Sequence, residues 1–295
     1  MVHKDNVPWP IDEATFLAWK WDGDVPPGLG TSTDRSHSLI AQMILLNQIF
    51  MEINDFHTSS TAGSSNTTTL DETVRTLSGK LDRWHSLLPS CMRDTPENLH
   101  RYGEQKLGRI FVAVHLGYYH FGQLLFYQYL QQDSQTSGSC TGSAHLYAEK
   151  CKAYASSLCA LVYASHSTPR CKVLYTMVGH NLVVASTIQI HTLLFSDSEN
   201  AIKEARGRLE RNFQILLELR NFWPVLEISF EAFRKFRDAC RRSMYTAFKM
   251  DDWMLRFLYG FANQVEDKEV YEIAAGGVWP VENIGFSPRD WMERN

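Results

Sequence analysis

The chain has 295 residues, of which 44% are hydrophobic and 21% charged, a balance that builds a large core and excludes the charged, apolar-poor class of disordered chains. Its formal net charge is −4 and its pI about 6.3, so it lacks the basic footprint of a protein that grips phosphates. Neither number selects a reaction.

The first 33 residues are rich in Pro, Gly and Trp (Pro8, Pro10, Trp19, Trp21, Pro26, Pro27, Gly28, Gly30), which punctuate rather than build helices. Asp34 or Ser36 then fits a helix N-cap, because Leu39, Met43, Leu46, Phe50 and Ile53 follow on one helical face. The polar run His57–Asn66 is expected to end that helix as a loop. A second helix is predicted over Leu70–Leu88, with Leu77, Leu81, Trp84 and Leu88 inward and Pro89 as its stop.

After a loop containing Pro96 comes an aromatic, apolar stretch, Leu107–Tyr129, and then a Ser/Gly/Thr loop over Gln132–Ser143. Helical periodicity recurs over 144–165, 171–195, 199–221, 225–247 and 251–268. No sustained alternation of the strand type and no fixed repeat occurs. The expectation is all-α, a single irregular multi-helix domain over 34–268, between a Pro/Gly/Trp-rich segment (1–33) and a C-terminal tail (269–295).

Val173–Ser196 carries no charged residue and is long enough to cross a bilayer. It also holds His180, Asn181, Gln189 and His191, which are costly in hydrocarbon, so the expectation is a buried central helix and no membrane. The basic run Arg234-Lys235-Phe236-Arg237, with Arg241 and Arg242, reads as a solvated helix face. Cys91, Cys140, Cys151, Cys159, Cys171 and Cys240 form no C-x2-C pair and read as free, mostly buried thiols in a reducing compartment, nucleus or cytoplasm.

Several motifs occur in a telling order. Leu77-x3-Leu81-x2-Trp84-x3-Leu88-Pro89 is followed by Leu116-Gly-Tyr-Tyr-His120 and Leu124-Leu125. Then come Cys151 with Ala153 and Ala155, His180 with Ala185, Ala205-x3-Leu209, Trp223-Pro224 and Trp253-Met254-x2-Phe257-Leu258. Over roughly residues 34–268 this order resembles the fungal-specific transcription factor domain, the regulatory middle region of fungal zinc-cluster transcription factors. The resemblance implies a mostly helical domain that regulates an attached DNA-binding module by sensing a metabolite. The closely spaced six-cysteine cluster of that module is missing, so DNA reading is not carried over.

His115 and His120 stand five apart, about 140° around a helix, unlike the H-x3-H spacing of a zinc site, and no metal or cofactor is expected. The plain reading of each is a paired core histidine. The functional reading gives a small-molecule pocket between the Leu107–Tyr129 helix, the Val173–Phe195 helix and the helix after Pro224. Its candidate lining is His115, Tyr118, Tyr119, His120, His180, Asn181, Trp223 and Glu227, polar groups among bulky apolar ones. Trp84, Trp223 and Trp253 read equally as core anchors, and Glu227 as a carboxylate in a helix's first turn. No nucleophile elbow, phosphate loop, dinucleotide glycine motif or HExxH occurs, so no catalytic residue is assigned.

Two functions follow. One is a regulatory, ligand-sensing protein without DNA contact, linked to secondary metabolism, that works through a hydrophobic metabolite or a protein partner. The other is a cofactor-free cyclase or isomerase that uses the same pocket for orientation and hydrogen bonding.

Overall fold

The computed structural model describes residues 10–18, 38–61, 67–130, 142–242 and 258–259. Among these residues the protein is all-α: α1 (Glu13–Ala18), α2 (Leu39–Thr61), α3 (Thr67–Leu87), α4 (Pro96–Glu104), α5 (Gly108–Phe126), α6 (Gly142–Ser167), α7 (Thr176–Phe195), α8 (Glu199–Phe222) and α9 (Leu226–Arg242). Short 3-10 turns follow α3 at Ser90–Met92 and α5 at Tyr127–Leu130. No strand occurs among the described residues. The patterns predicted over 251–268, including Trp253, and the Gln132–Ser143 loop lie largely outside them.

Two helices with almost no charge form the axis. After Arg109 α5 has no charged residue, and α2, α3, α4, α6 and α7 all pack against it. α7 has no charge at all and is enclosed by α5, α6, α8 and α9. It is the one described helix long and apolar enough to cross a membrane, yet 78% of its apolar window lies inside the protein. The expected central helix is therefore what the structure shows, and no membrane span is indicated among the described residues.

Ser186 and Thr187 on α7 survive burial because they are paired. Tyr163 of α6 donates its hydroxyl to Asn212 Oδ1 of α8 at 2.7 Å, and Asn212 Nδ2 donates to Ser186 Oγ at 3.0 Å. Ser186 Oγ donates in turn to the Leu182 carbonyl at 2.7 Å, while Tyr127 OH and Thr187 Oγ1 lie 2.7 Å apart. Two turns earlier on α7 the packing is tight: a β-carbon at Gly179 would stand 2.5 Å from Leu226 Cδ2, so α9 rests directly on the α7 backbone there.

Five sequence expectations are corrected. The segment 1–33 contains a helix, α1, whose Asp12 accepts from the Thr15 amide at 2.9 Å. The α2 cap is Ser38, adjacent to the first helical residue, with its Oγ accepting from the Ala41 amide at 3.1 Å; Asp34 and Ser36 lie outside the described residues. α2 runs on through His57–Thr61, because Phe56 and His57 are buried and extend the inward face by one turn. The Pro96 region forms α4, with Thr95 capping the Asn98 amide at 3.2 Å and Pro96 in the first turn, where its missing N–H costs nothing. α7 also begins at Thr176 rather than 171.

α1 serves α2 directly. Glu13 is buried, and its carboxylate accepts from Ser38 Oγ (3.0 Å), the Leu39 amide (3.0 Å) and the Ile40 amide (2.8 Å). These are donors that a helix N-terminus leaves unpaired, and a carboxylate there also meets the positive end of the helix dipole. Glu13→Ala is expected to lower unfolding free energy by about 1–3 kcal/mol and to speed hydrogen exchange at the Leu39 and Ile40 amides. Unchanged exchange at both amides would contradict this cap.

Candidate functional site

The structure separates the eight predicted pocket residues into distinct settings. His115, Tyr118 and Tyr119 face the α3 and α6 side of α5. His115 donates Nε2–H to the Met92 carbonyl at 2.9 Å and packs on Phe111. Tyr118 stacks on Trp84 with ring centres 5.2 Å apart, and its hydroxyl lies 3.2 Å from that of Tyr154. Tyr119 donates to Asp94 Oδ2 at 2.8 Å. Burial pushes the Tyr118 and Tyr119 phenols up, and the Asp94 carboxylate adds to the effect at Tyr119. All three side chains have partners within the fold.

Trp223 and Glu227 lie on the surface. Trp223 is 41% exposed and donates its indole N–H to the Leu174 carbonyl, fastening the α8–α9 turn to the residues before α7. It is therefore a surface tie, while Trp84, 6% exposed, is the core anchor that was expected. Glu227 is exposed and pairs with Arg220 at 3.2 Å. Asn181 is buried on α7, and its Oδ1 has no hydrogen-bond partner among the described residues.

His120 and His180 do meet. Their rings lie 5.8 Å apart edge to face, one on α5 and one on α7. His180 donates Nε2–H to the Leu258 carbonyl at 2.8 Å. Phe121, next to His120, stacks on Phe50 of α2 at 4.5 Å, and Tyr259 packs 6.2 Å from Phe50 and 6.1 Å from His57. Leu258 is fully buried beneath this turn. The polar convergence thus sits where α2, α5, α7 and Leu258–Tyr259 meet, whereas the sequence suggested α5, α7 and the helix after Pro224, α9.

Two polar atoms here stand out. His120 Nδ1 and the Tyr259 hydroxyl are both buried, and neither has a hydrogen-bond partner among the described residues. An unsatisfied buried polar atom costs about 1–3 kcal/mol, so each marks a place where a further group would be stabilised. Burial, with His180 adding to it, holds the His120 imidazole down to about 3, and burial pushes the Tyr259 phenol up. Both groups are neutral at physiological pH.

The sequence pattern puts Phe50 on the inward face of α2 but does not single out Tyr259, Phe121 or His57. His57 was read into a polar loop, although it falls one turn beyond Ile53 on the inward face of α2, a spacing that could have drawn it in. Tyr259 comes from a stretch remote in sequence, and only the tertiary fold brings it onto Phe50 and His57 of α2.

No three His, Cys, Asp or Glu side chains are grouped as metal ligands among the described residues. Cys151, Cys159 and Cys171 are buried free thiols, as expected, and Cys91 is half-buried. Arg234, from the basic run, is exposed beside Glu231 at 3.9 Å. The chain matches no protein-family model, and comparison with curated proteins and with solved structures gave no match.

The histidines couple stability to pH. Burial holds His57 down to about 4 and His120 to about 3, below the ordinary value of 6.5. Above pH 6.5 both rings are neutral whether folded or unfolded. As pH falls below that value the unfolded chain takes up the protons first, so the fold loses stability down to each folded pKa. For His57 the loss approaches about 3 kcal/mol. Urea unfolding is expected to show stability falling between pH 6.5 and 4, with His57→Gln and His120→Gln each flattening the fall. A slope identical to wild type in both variants would contradict the assignment.

Proposed function

We propose that this protein is a ligand-sensing regulatory domain that makes no direct contact with DNA and binds a small, mainly apolar metabolite at the α2–α5–α7 junction. The observation that carries the reading is the pair of buried, unpartnered polar atoms, His120 Nδ1 and the Tyr259 hydroxyl, inside a wall of aromatic rings. Apolar walls with a few unpaired polar groups are the make-up of a small-molecule seat. The order of motifs shared with the fungal-specific transcription factor domain supports a regulatory role for such a seat. The acidic net charge supports action without DNA contact.

The seat offers hydrogen bonds and aromatic surface, and its imidazole and phenol are neutral at physiological pH. Binding with release of an unaltered ligand fits these groups better than proton transfer, which needs a group titrating near the working pH. The test is to incubate the purified chain and its His120→Ala variant with an organic extract of fungal culture, re-isolate the protein and analyse released small molecules by mass spectrometry. The expected result is a compound retained by wild type, lost from the variant, and unchanged in mass and retention time. A compound converted by wild type alone would favour the cyclase or isomerase reading. Equal retention by both proteins would remove the seat.

A further inference from the structure

Resting on that reading, we infer that the α2–α5–α7 seat selects an uncharged aromatic ligand carrying a hydroxyl group. Two polar groups at the junction lack partners among the described residues. His120 is 7% exposed and has its Nδ1 buried, while the Tyr259 hydroxyl is buried above Phe50. A ligand hydroxyl both donates and accepts, so it can satisfy the imidazole nitrogen in its acceptor form or the phenol in either sense. A purely hydrocarbon ligand would leave both atoms unpaired.

The surrounding surface sets the rest of the ligand. Phe50 and Phe121 stack 4.5 Å apart, His120 lies 6.1 Å from Phe121 and 5.8 Å from His180, and Tyr259 lies 6.2 Å from Phe50. Aromatic rings favour offset or edge contacts with another ring, so a flat aromatic body suits this wall.

Charge is excluded by what is missing around the polar atoms. No carboxylate or cationic side chain among the described residues acts on His120 or Tyr259; burial is the leading influence on each. An ionic ligand entering here would lose its hydration without meeting a counter-charge, which is far more costly than burying a neutral hydroxyl.

The experiment uses four probes with a common two-ring body: 4-phenylphenol, 4-methylbiphenyl, biphenyl-4-carboxylate and protonated biphenyl-4-ylmethylamine. Thermal shift and calorimetry at pH 7.4 are run on the full chain and on His120→Phe and Tyr259→Phe, two variants that keep the aromatic bulk, so that one remains informative if the other fails to fold. The expected result is that 4-phenylphenol raises Tm by about 3 °C or more at saturation and binds about tenfold tighter than 4-methylbiphenyl. Both charged probes are expected to bind more weakly still. His120→Phe or Tyr259→Phe should abolish the advantage of the phenol over the methyl compound.

Tightest binding by a charged probe, lost in the same variants, would overturn the ligand class while leaving the seat in place. Absence of binding by all four, or binding indifferent to both substitutions, would overturn the ligand class and the seat together.

Discussion

Imidazoles reaching backbone carbonyls tie the elements of this helical assembly to one another. His57 of α2 donates to Leu124 in the last turns of α5, His115 of α5 to Met92 in the turn after α3, His180 of α7 to Leu258, and His191 of α7 to Leu130. The Leu124, Met92 and Leu130 carbonyls lie at or near the end of a helical run, where the regular helix supplies no amide for them. Because the partner is in each case a carbonyl, which only accepts, the ring nitrogen facing it must carry the proton. One buried polar group therefore solves the pairing problem of another, and the same contact fixes the spacing of two elements. Such a bond contributes only about 1 kcal/mol net, but loss of one partner leaves a desolvated group behind, so the arrangement is stiff.

His120 departs from that pattern, and the departure gives the fold its functional asymmetry. It stands in the same apolar interior as the other four, edge-on to His180, yet it reaches no backbone carbonyl among the described residues, and its Nδ1, like that of His115, is buried without a partner there. Nearby, Tyr259 buries a hydroxyl in the same condition. Parts of the interior are fully paired, as in the run from Tyr163 through Asn212 and Ser186 to the Leu182 carbonyl, while other buried polar atoms without a partner among the described residues occur at Trp84 Nε1, His115 Nδ1 and Gln123 Oε1. What distinguishes the junction is that its two unpaired atoms, on His120 and Tyr259, border the same stacked rings, Phe50 and Phe121.

Much of this was legible in the sequence. The uncharged stretch from Val173 and the inward spacing of Leu77, Leu81, Trp84 and Leu88 become a buried central helix and a packed helix face, because periodicity and charge report directly on burial. His115, His120 and His180 stood out as polar groups in apolar surroundings for the same reason. Which of them would be paired was not legible, since the partners are backbone carbonyls remote in the chain and carbonyls leave no mark in a sequence. α4 was readable from Thr95-Pro96-Glu97, an N-cap followed by a first-turn proline, but a proline in a loop context concealed it. The cap that Glu13 supplies to α2 had no local signal, as it joins segments 25 or more residues apart. Glu227 was placed by its neighbours Trp223 and Pro224, which turn out to sit at a surface turn.

The central claim is that the junction is uncharged, with His120 neutral and one of its ring nitrogens unpaired. Long-range proton–nitrogen NMR of the histidine rings at pH 7 tests it directly. The account predicts that His57, His115, His180 and His191 carry the proton on Nε2, with chemical shifts of a nitrogen donating to a carbonyl. It further predicts that His120 is neutral, with its Nδ1 free of any hydrogen bond from the protein, and that it stays neutral down to pH 5. A His120 ring protonated on both nitrogens at pH 7 would contradict the account.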